Sequence, residues 1–254
     1  MKREVANFEN EAALCNAFIA AVKDEWDVYP ETAGFDILLS RKADGAQIGI
    51  EAKLALNAKV LDQALPYLSD WSAAETGPDY RAVLVPDGKV QGLYSSLCRM
   101  LGITIIMMKD QEAGRYSTPF FPYLPGPDTW ASRDWHQWCP NHRCSLPDYI
   151  PDVEAGHSAP VALTEWKIKA IKLAIVMETR PVTRADFKVL GLSPSRWTDP
   201  WTGWLDKTPD GYVPGASLPD FKAQHPVNYE QIKADADKWM LPQMPLARQG
   251  ALSL

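Results

Sequence analysis

Gly34-Phe35-Asp36-Ile37-Leu38-Leu39, followed after a short gap by Gln47-Ile48-Gly49-Ile50-Glu51-Ala52-Lys53-Leu54, is the stretch that decides the fold. Both segments have the alternation and apolar content of strands, and Ala43-Asp44-Gly45-Ala46 between them reads as a hairpin turn. Side chains two apart on a strand share a face, so Glu51 and Lys53 point one way while Ile48, Ile50, Ala52 and Leu54 point into a core. An acid and a base therefore stand together on an otherwise apolar strand. Asp36, at the start of the partner strand, is within reach of both.

Working outward, the spacing of Phe8, Cys15, Phe18 and Val22 predicts a helix from about Val5 to Lys23. Glu11 falls inside that apolar stripe, where an ionised carboxylate is costly unless a cation meets it. Trp26 to Tyr29 reads as a short strand and Pro30 to Gly34 as a loop. After Lys53 come a helix from about Ala58 to Asp70, a strand at Tyr80–Val85, a helix at Val90–Leu101 and a continuous apolar strand at Ile103–Met108.

Asp, then Glu-x-Lys at the end of the next strand, resembles the signature of the PD-(D/E)XK nuclease superfamily, carried here by Asp36, Glu51 and Lys53, with Phe35 where the literal motif has Pro. The predicted order of helix, three strands, helix, strand, helix, strand is similar to that superfamily's αβββαβ core. Gln63-Ala64-Leu65-Pro66-Tyr67 resembles the Gln-x-x-x-Tyr of its RecB-like branch, with Pro66 as a departure that shortens or kinks the helix. The resemblance implies an α/β restriction-endonuclease-like fold with a mixed central sheet. It also implies Mg²⁺ (or Mn²⁺) held by Asp36 and Glu51 with Glu11 assisting, Lys53 orienting a water or stabilising the phosphate transition state, and Gln63 and Tyr67 in support. Glu31 reads first as a solvated loop acid, and is close enough in sequence to serve as a backup ligand.

The totals are compatible with that expectation. At 254 residues the chain can bury one large or two modest cores, and it has no apolar run of membrane-spanning length. Formal net charge is −6, arguing against a passive polyanion binder. Residues 1–125 carry 12 Lys/Arg against 17 Asp/Glu, whereas 161–215 carry 8 against 6, so an acidic first part suits divalent cations and a more basic later part suits nucleic acid. Four cysteines give no disulfide framework, and the N-terminus leads into an amphipathic pattern, so a reducing cytoplasm is the expected setting.

From residue 111 to about 160 the periodicity stops and prolines and aromatics dominate, which predicts an irregular but packed segment. Within it Cys139, His142, Cys144 and His157 supply the residue types of a tetrahedral structural Zn²⁺ site, although their spacing matches no common finger.

Residues 161–215 read as a separate small α+β domain. A helix over Leu163–Glu178 precedes a short one beginning at Thr183 and closed by Gly191. Ser193 is placed to N-cap a third helix at Pro194–Trp197, and Trp204-Leu205 and Tyr212-Val213 flank an Asp-Gly hairpin turn. This resembles a winged helix-turn-helix and implies DNA contacts from Arg184, Lys188, Ser195 and Arg196, diluted by Asp186 and Asp199. Residues 216–254 form an extension with one weak helix near Tyr229–Trp239.

Together these readings predict a Mg²⁺-dependent deoxyribonuclease, expected to be an endonuclease, that acts on DNA, with a homodimer or a partner protein both open. The rival is a nuclease-fold regulator that binds DNA or protein without cutting.

Overall fold

The computed structural model describes residues 7–65, 76–90, 92–109, 118–127, 134–156, 162–199 and 201–240. The chain divides into two compact units: Met1–Leu146 with Val153–Ala162, and Pro147–Asp152 with Leu163–Leu254.

The first unit is built in the order α1 (Glu11–Ala21), β1 (Trp26–Thr32), β2 (Phe35–Arg41), β3 (Gln47–Ala52), α2 (Ala58–Ala64), β4 (Tyr80–Pro86), α3 (Gly92–Met100), β5 (Ile103–Met108) and β6 (Phe120–Phe121). Its strands form one six-stranded mixed sheet in sequence order. Strands β1, β2 and β3 are antiparallel neighbours, β3, β4 and β5 are parallel through the crossovers α2 and α3, and β6 returns antiparallel. The predicted element order therefore holds through β5. Alternation sorts the sheet's two faces. Ile37, Leu39, Ile48, Ile50, Ala82, Leu84 and Ile106 pack with Leu14, Cys15 and Phe18 of α1. Val83, Val85 and Ile103 pack with Val60 and Leu61 of α2 and Cys98 of α3. Glu51, opposite Val83 in the ladder, shares this second face.

Several boundaries differ from expectation for local reasons. Helix α1 begins at Glu11 rather than near Val5, because Asn10 caps it, its side-chain oxygen accepting from Ala13 N at 2.8 Å. Strand β1 continues past Tyr29 to Thr32, so Glu31 lies in a strand and not in a loop, with a left-handed φ of 48°. Gly49 is fixed by packing: a Cβ there would stand 2.6 Å from the Phe35 ring, which lies across the strand and beneath the Arg81 guanidinium.

The segment after β6 is irregular but stapled. Gln47 Nε2 donates to Cys144 O at 2.9 Å and Cys144 N donates to Gln47 Oε1 at 2.8 Å. Arg143 pairs with the buried Asp79 at 2.8 Å, and Trp138 donates through its indole to Gly102 O at 3.2 Å. Polar bonds to the starts of β3, β4 and β5 thus order a stretch that lacks a repeat.

The second unit contains α4 (Glu165–Met177), α5 (Arg184–Leu190), α6 (Ser195–Thr198), the hairpin β7 (Leu205–Thr208) and β8 (Gly211–Pro214), then α7 (Phe221–Gln224), α8 (Pro226–Ala234) and α9 (Ala236–Trp239). The weak helix expected near Tyr229–Trp239 is thus two short ones, α8 and α9, with α7 before them. Trp197 is fully buried at its centre, with Phe187, Trp204 and Phe221 packed around it. Gly191 closes α5 in the left-handed conformation as expected. Ser193 does not cap α6: Pro194 occupies that position and the Ser193 hydroxyl meets that of Ser195 at 3.0 Å. Segment 147–152 is held by buried polar groups, His225 Nδ1 meeting Asp152 Oδ1 at 2.9 Å while Asn228 donates to Ile150 O at 2.8 Å. Among the described residues no helix is long and apolar enough to cross a membrane.

Candidate functional site

The site lies where β3 ends. Antiparallel pairing of Ile37 with Ile50 carries the start of β2 alongside the end of β3. There Asp36 Oδ2 accepts a hydrogen bond from Ala52 N at 2.7 Å, so its carboxylate sits on the backbone of the residue between Glu51 and Lys53. Lys53 continues the parallel ladder, its N–H donating to Leu84 O at 2.9 Å. Its ammonium meets Glu11 Oε2, from the first turn of α1, at 2.7 Å. The cation that a stripe-facing Glu11 requires is therefore Lys53. Acids from both layers of the unit, Glu11 from the α1 side and Glu51 from the α2 side, converge on one strand end. Ligand sites in α/β sheets commonly lie outside the carboxyl ends of strands.

Glu51 is 2% exposed, and among the described residues it has neither a hydrogen-bond partner nor an ion pair. Burial, and then the charges of Asp36, Glu31 and Glu11, push its carboxyl up to about 8 against the relief given by Lys53. Burial also raises Asp36, with the Glu11 charge adding to it, partly offset by the Ala52 N–H and Lys53. Burial would lower Lys53, but the Glu11 hydrogen bond and the charges of Asp36, Glu11 and Glu51 outweigh it and hold the ammonium protonated. Cys15, beneath the cluster, is raised by burial and by the same acids, so it is an inert packed thiol.

Glu31, a further ligand candidate in the sequence, is tied down by a segment that left little trace there. Glu31 Oε1 accepts from Gly156 N at 2.7 Å, and its charge acts on both Glu51 and Cys15. Segment 154–156 crosses the first turn of α1: Glu154 accepts from Asn16 at 2.6 Å, and a Cβ on Gly156 would lie 3.0 Å from both Cys15 Sγ and the Glu11 carbonyl carbon. Residues more than a hundred positions downstream thereby hold Glu11 in place.

Of the other expected site residues, Gln63 lies on α2 with its Oε1 buried and without a partner among the described residues. Tyr67 and His157 lie outside the described residues. Cys139 and His142 are exposed, and burial pushes the Cys144 thiol up to about 11. Among the described residues no group of three or more His, Cys, Asp or Glu side chains is arranged to hold a metal ion. A cavity of about 670 Å³ stands apart from these acids, lined by Trp26, Arg41, Phe120 and Tyr123 at the far end of β2. The acids at the end of β3, rather than the cavity, make the candidate site.

In the second unit Arg184, Lys188, Ser195 and Arg196 are all exposed. The expected dilution by Asp186 does not occur. That side chain is buried, bound by Arg180 at 2.8 and 2.9 Å and by Thr183 N at 2.7 Å. Arg184 and Lys188, four apart on α5, therefore show their cations without a competing acid on that helix.

No family model, curated protein or solved structure matches the chain.

Proposed function

We propose that the chain is a Mg²⁺- or Mn²⁺-dependent DNA nuclease, its first unit a restriction-endonuclease-like domain of the PD-(D/E)XK type and its second a winged-helix domain that positions DNA. The observation that carries this reading is Glu51: a buried, unpartnered carboxylate beside Asp36, at the end of a strand, with further acids around it. A protein bears the cost of such a group where a cation is to be met.

The donor set fits that cation. Mg²⁺ takes one or two protein carboxylates and completes its shell with waters and substrate oxygens, so Asp36 and Glu51 suffice without a third fixed ligand. When bound, the ion supplies Lewis-acid stabilisation of the phosphate oxygens and a more acidic water. Lys53, protonated and only 15% exposed, donates its hydrogen bonds to the attacking water or to a non-bridging phosphate oxygen, offsetting charge that builds up there. Glu11 sets where that ammonium stands. Arg184, Lys188, Ser195 and Arg196 are suited to phosphate contacts that fix the duplex without reading its sequence.

Plasmid DNA incubated with the full chain and Mg²⁺ or Mn²⁺ is expected to be nicked. Lys53→Ala and Asp36→Ala should abolish nicking while leaving gel-shift affinity largely intact. Wild-type protein that binds DNA and never cuts it under either metal would replace this reading with that of a non-cleaving nuclease-fold regulator.

A further inference from the structure

Trp201 in the second unit is 93% exposed, although Trp197 before it is fully buried and Trp204 after it is partly so. Its loop is tightly tied. Asp199 Oδ1 accepts from Trp201 N at 2.9 Å, from Thr202 N at 2.7 Å and from the Thr202 hydroxyl at 3.0 Å. Gly203 N donates to Asp199 O and Trp204 N to Trp197 O, both at 2.9 Å. A Cβ on Gly203 would stand 2.3 Å from Asp199 O, so the turn has no slack for a larger residue. The backbone thus holds a large flat ring out in water, forgoing the burial that such a ring ordinarily gains.

The charges along its own stretch of chain favour one kind of partner, with the exposed Asp206 of the following hairpin standing just beyond that stretch. Between 183 and 204 the acids are Asp186 and Asp199. The first is buried against Arg180 and the second is turned onto its own loop. The cations of that stretch, Arg184, Lys188 and Arg196, are exposed, and none has an ion pair among the described residues. The Arg196 guanidinium lies 5.3 Å from the centre of the Trp204 ring. Cations for phosphates interleaved with an aromatic face is the composition that binds single-stranded nucleic acid. In an intact duplex the faces of the bases are occupied by one another, and a ring at a loop tip finds one only where a base has left the stack.

We propose that Trp201 is a stacking platform for an unpaired nucleobase, and that the second unit selects DNA containing a single-stranded or unpaired position over continuous duplex. This rests on the DNA-binding reading above and names its substrate class.

The test is fluorescence anisotropy with a labelled duplex and the same duplex carrying a short single-stranded gap, in EDTA to prevent cutting. Wild-type chain should bind the gapped DNA more tightly. Trp201→Ala should weaken binding to the gapped DNA by about 10-fold or more, and Trp201→Phe should retain most of it, with duplex affinity unchanged in both. If Trp201→Ala binds gapped DNA as well as wild type does, or weakens equally on both DNAs, the stacking role is overturned while DNA binding stands. If wild-type chain binds neither DNA, the DNA-binding reading itself fails and takes the inference with it.

Discussion

Replacing Glu51 by Gln keeps the shape of the side chain and removes its charge, which isolates the cost of ionising a buried carboxyl. In the folded chain that carboxyl is pushed from 4.5 to about 8, chiefly by burial and next by Asp36. Between those two values the folded state keeps a proton that the unfolded chain has released. Stability therefore falls as pH rises from about 4.5 to about 8 and is level above that. At ~1.4 kcal/mol per pH decade the full loss is about 5 kcal/mol, and relaxation and water entry bring the observable part to roughly 2–4 kcal/mol. Glu51→Gln should match wild type near pH 4.5 and exceed it progressively up to about pH 8.5. Differential scanning fluorimetry should show the gap as roughly 2–4 °C per kcal/mol for a unit of this size. Adding Mn²⁺ at the alkaline end should raise the wild-type midpoint and leave that of Glu51→Gln unmoved, because an ion that binds only the folded state stabilises it by mass action. Parallel pH curves for the two proteins would refute the claim that Glu51 is held against its charge. An equal Mn²⁺ response would refute its role as a ligand.

Asp186→Ala should cost the second unit about 3 kcal/mol, because it removes the buried carboxylate that Arg180 binds with two hydrogen bonds and that accepts from Thr183 N; urea denaturation measures it. Burial would raise Asp186, but its bonds from Arg180 and Thr183 leave it below the ordinary 3.8. Its contribution is thus complete at neutral pH and is lost only as pH falls below that value. Arg184→Ala and Lys188→Ala should each weaken DNA binding similarly on unrelated sequences and lower the salt slope of log Kd by about 1, read by titration at several ionic strengths. Gly49→Ala should destabilise the first unit by about 1–3 kcal/mol through collision with the Phe35 ring, and Phe35→Leu should relieve part of it in the double variant, both read by thermal denaturation.

The sheet was legible because its strands are short apolar runs with clear alternation and its crossovers carry helical spacing. At the candidate site two-residue periodicity marked Glu51 and Lys53, and a carboxylate on the apolar stripe of α1 needed a cation; the structure gives the Lys53 ammonium to Glu11 and, among the described residues, makes no ion pair between it and Glu51. Contacts between segments far apart in the chain were not legible. Glu31 with Gly156, Asp79 with Arg143 and Gln47 with Cys144 join single side chains to distant backbone or to one another, and such bonds leave no repeat to find. Asp186 shows how position on a helix can mislead. It has the sequence context of a surface acid, yet Thr183 N and Arg180 draw it inward as the third residue of a capped helix.

The route of the chain between the units has a practical consequence for anyone cutting it apart. Residues 147–152 belong with the C-terminal unit, but 153–162 return to the first before the chain leaves again at Leu163. A fragment beginning at 163 would lose the Asp152 carboxylate that meets His225, the Ile150 carbonyl that accepts from Asn228, and the Tyr149 hydroxyl that reaches Asp235. One protease nick within 153–162 would likewise leave the halves joined through the 146–147 peptide. The chain crosses between them three times, at 146–147, 152–153 and 162–163, and separating them requires that all three crossings be severed.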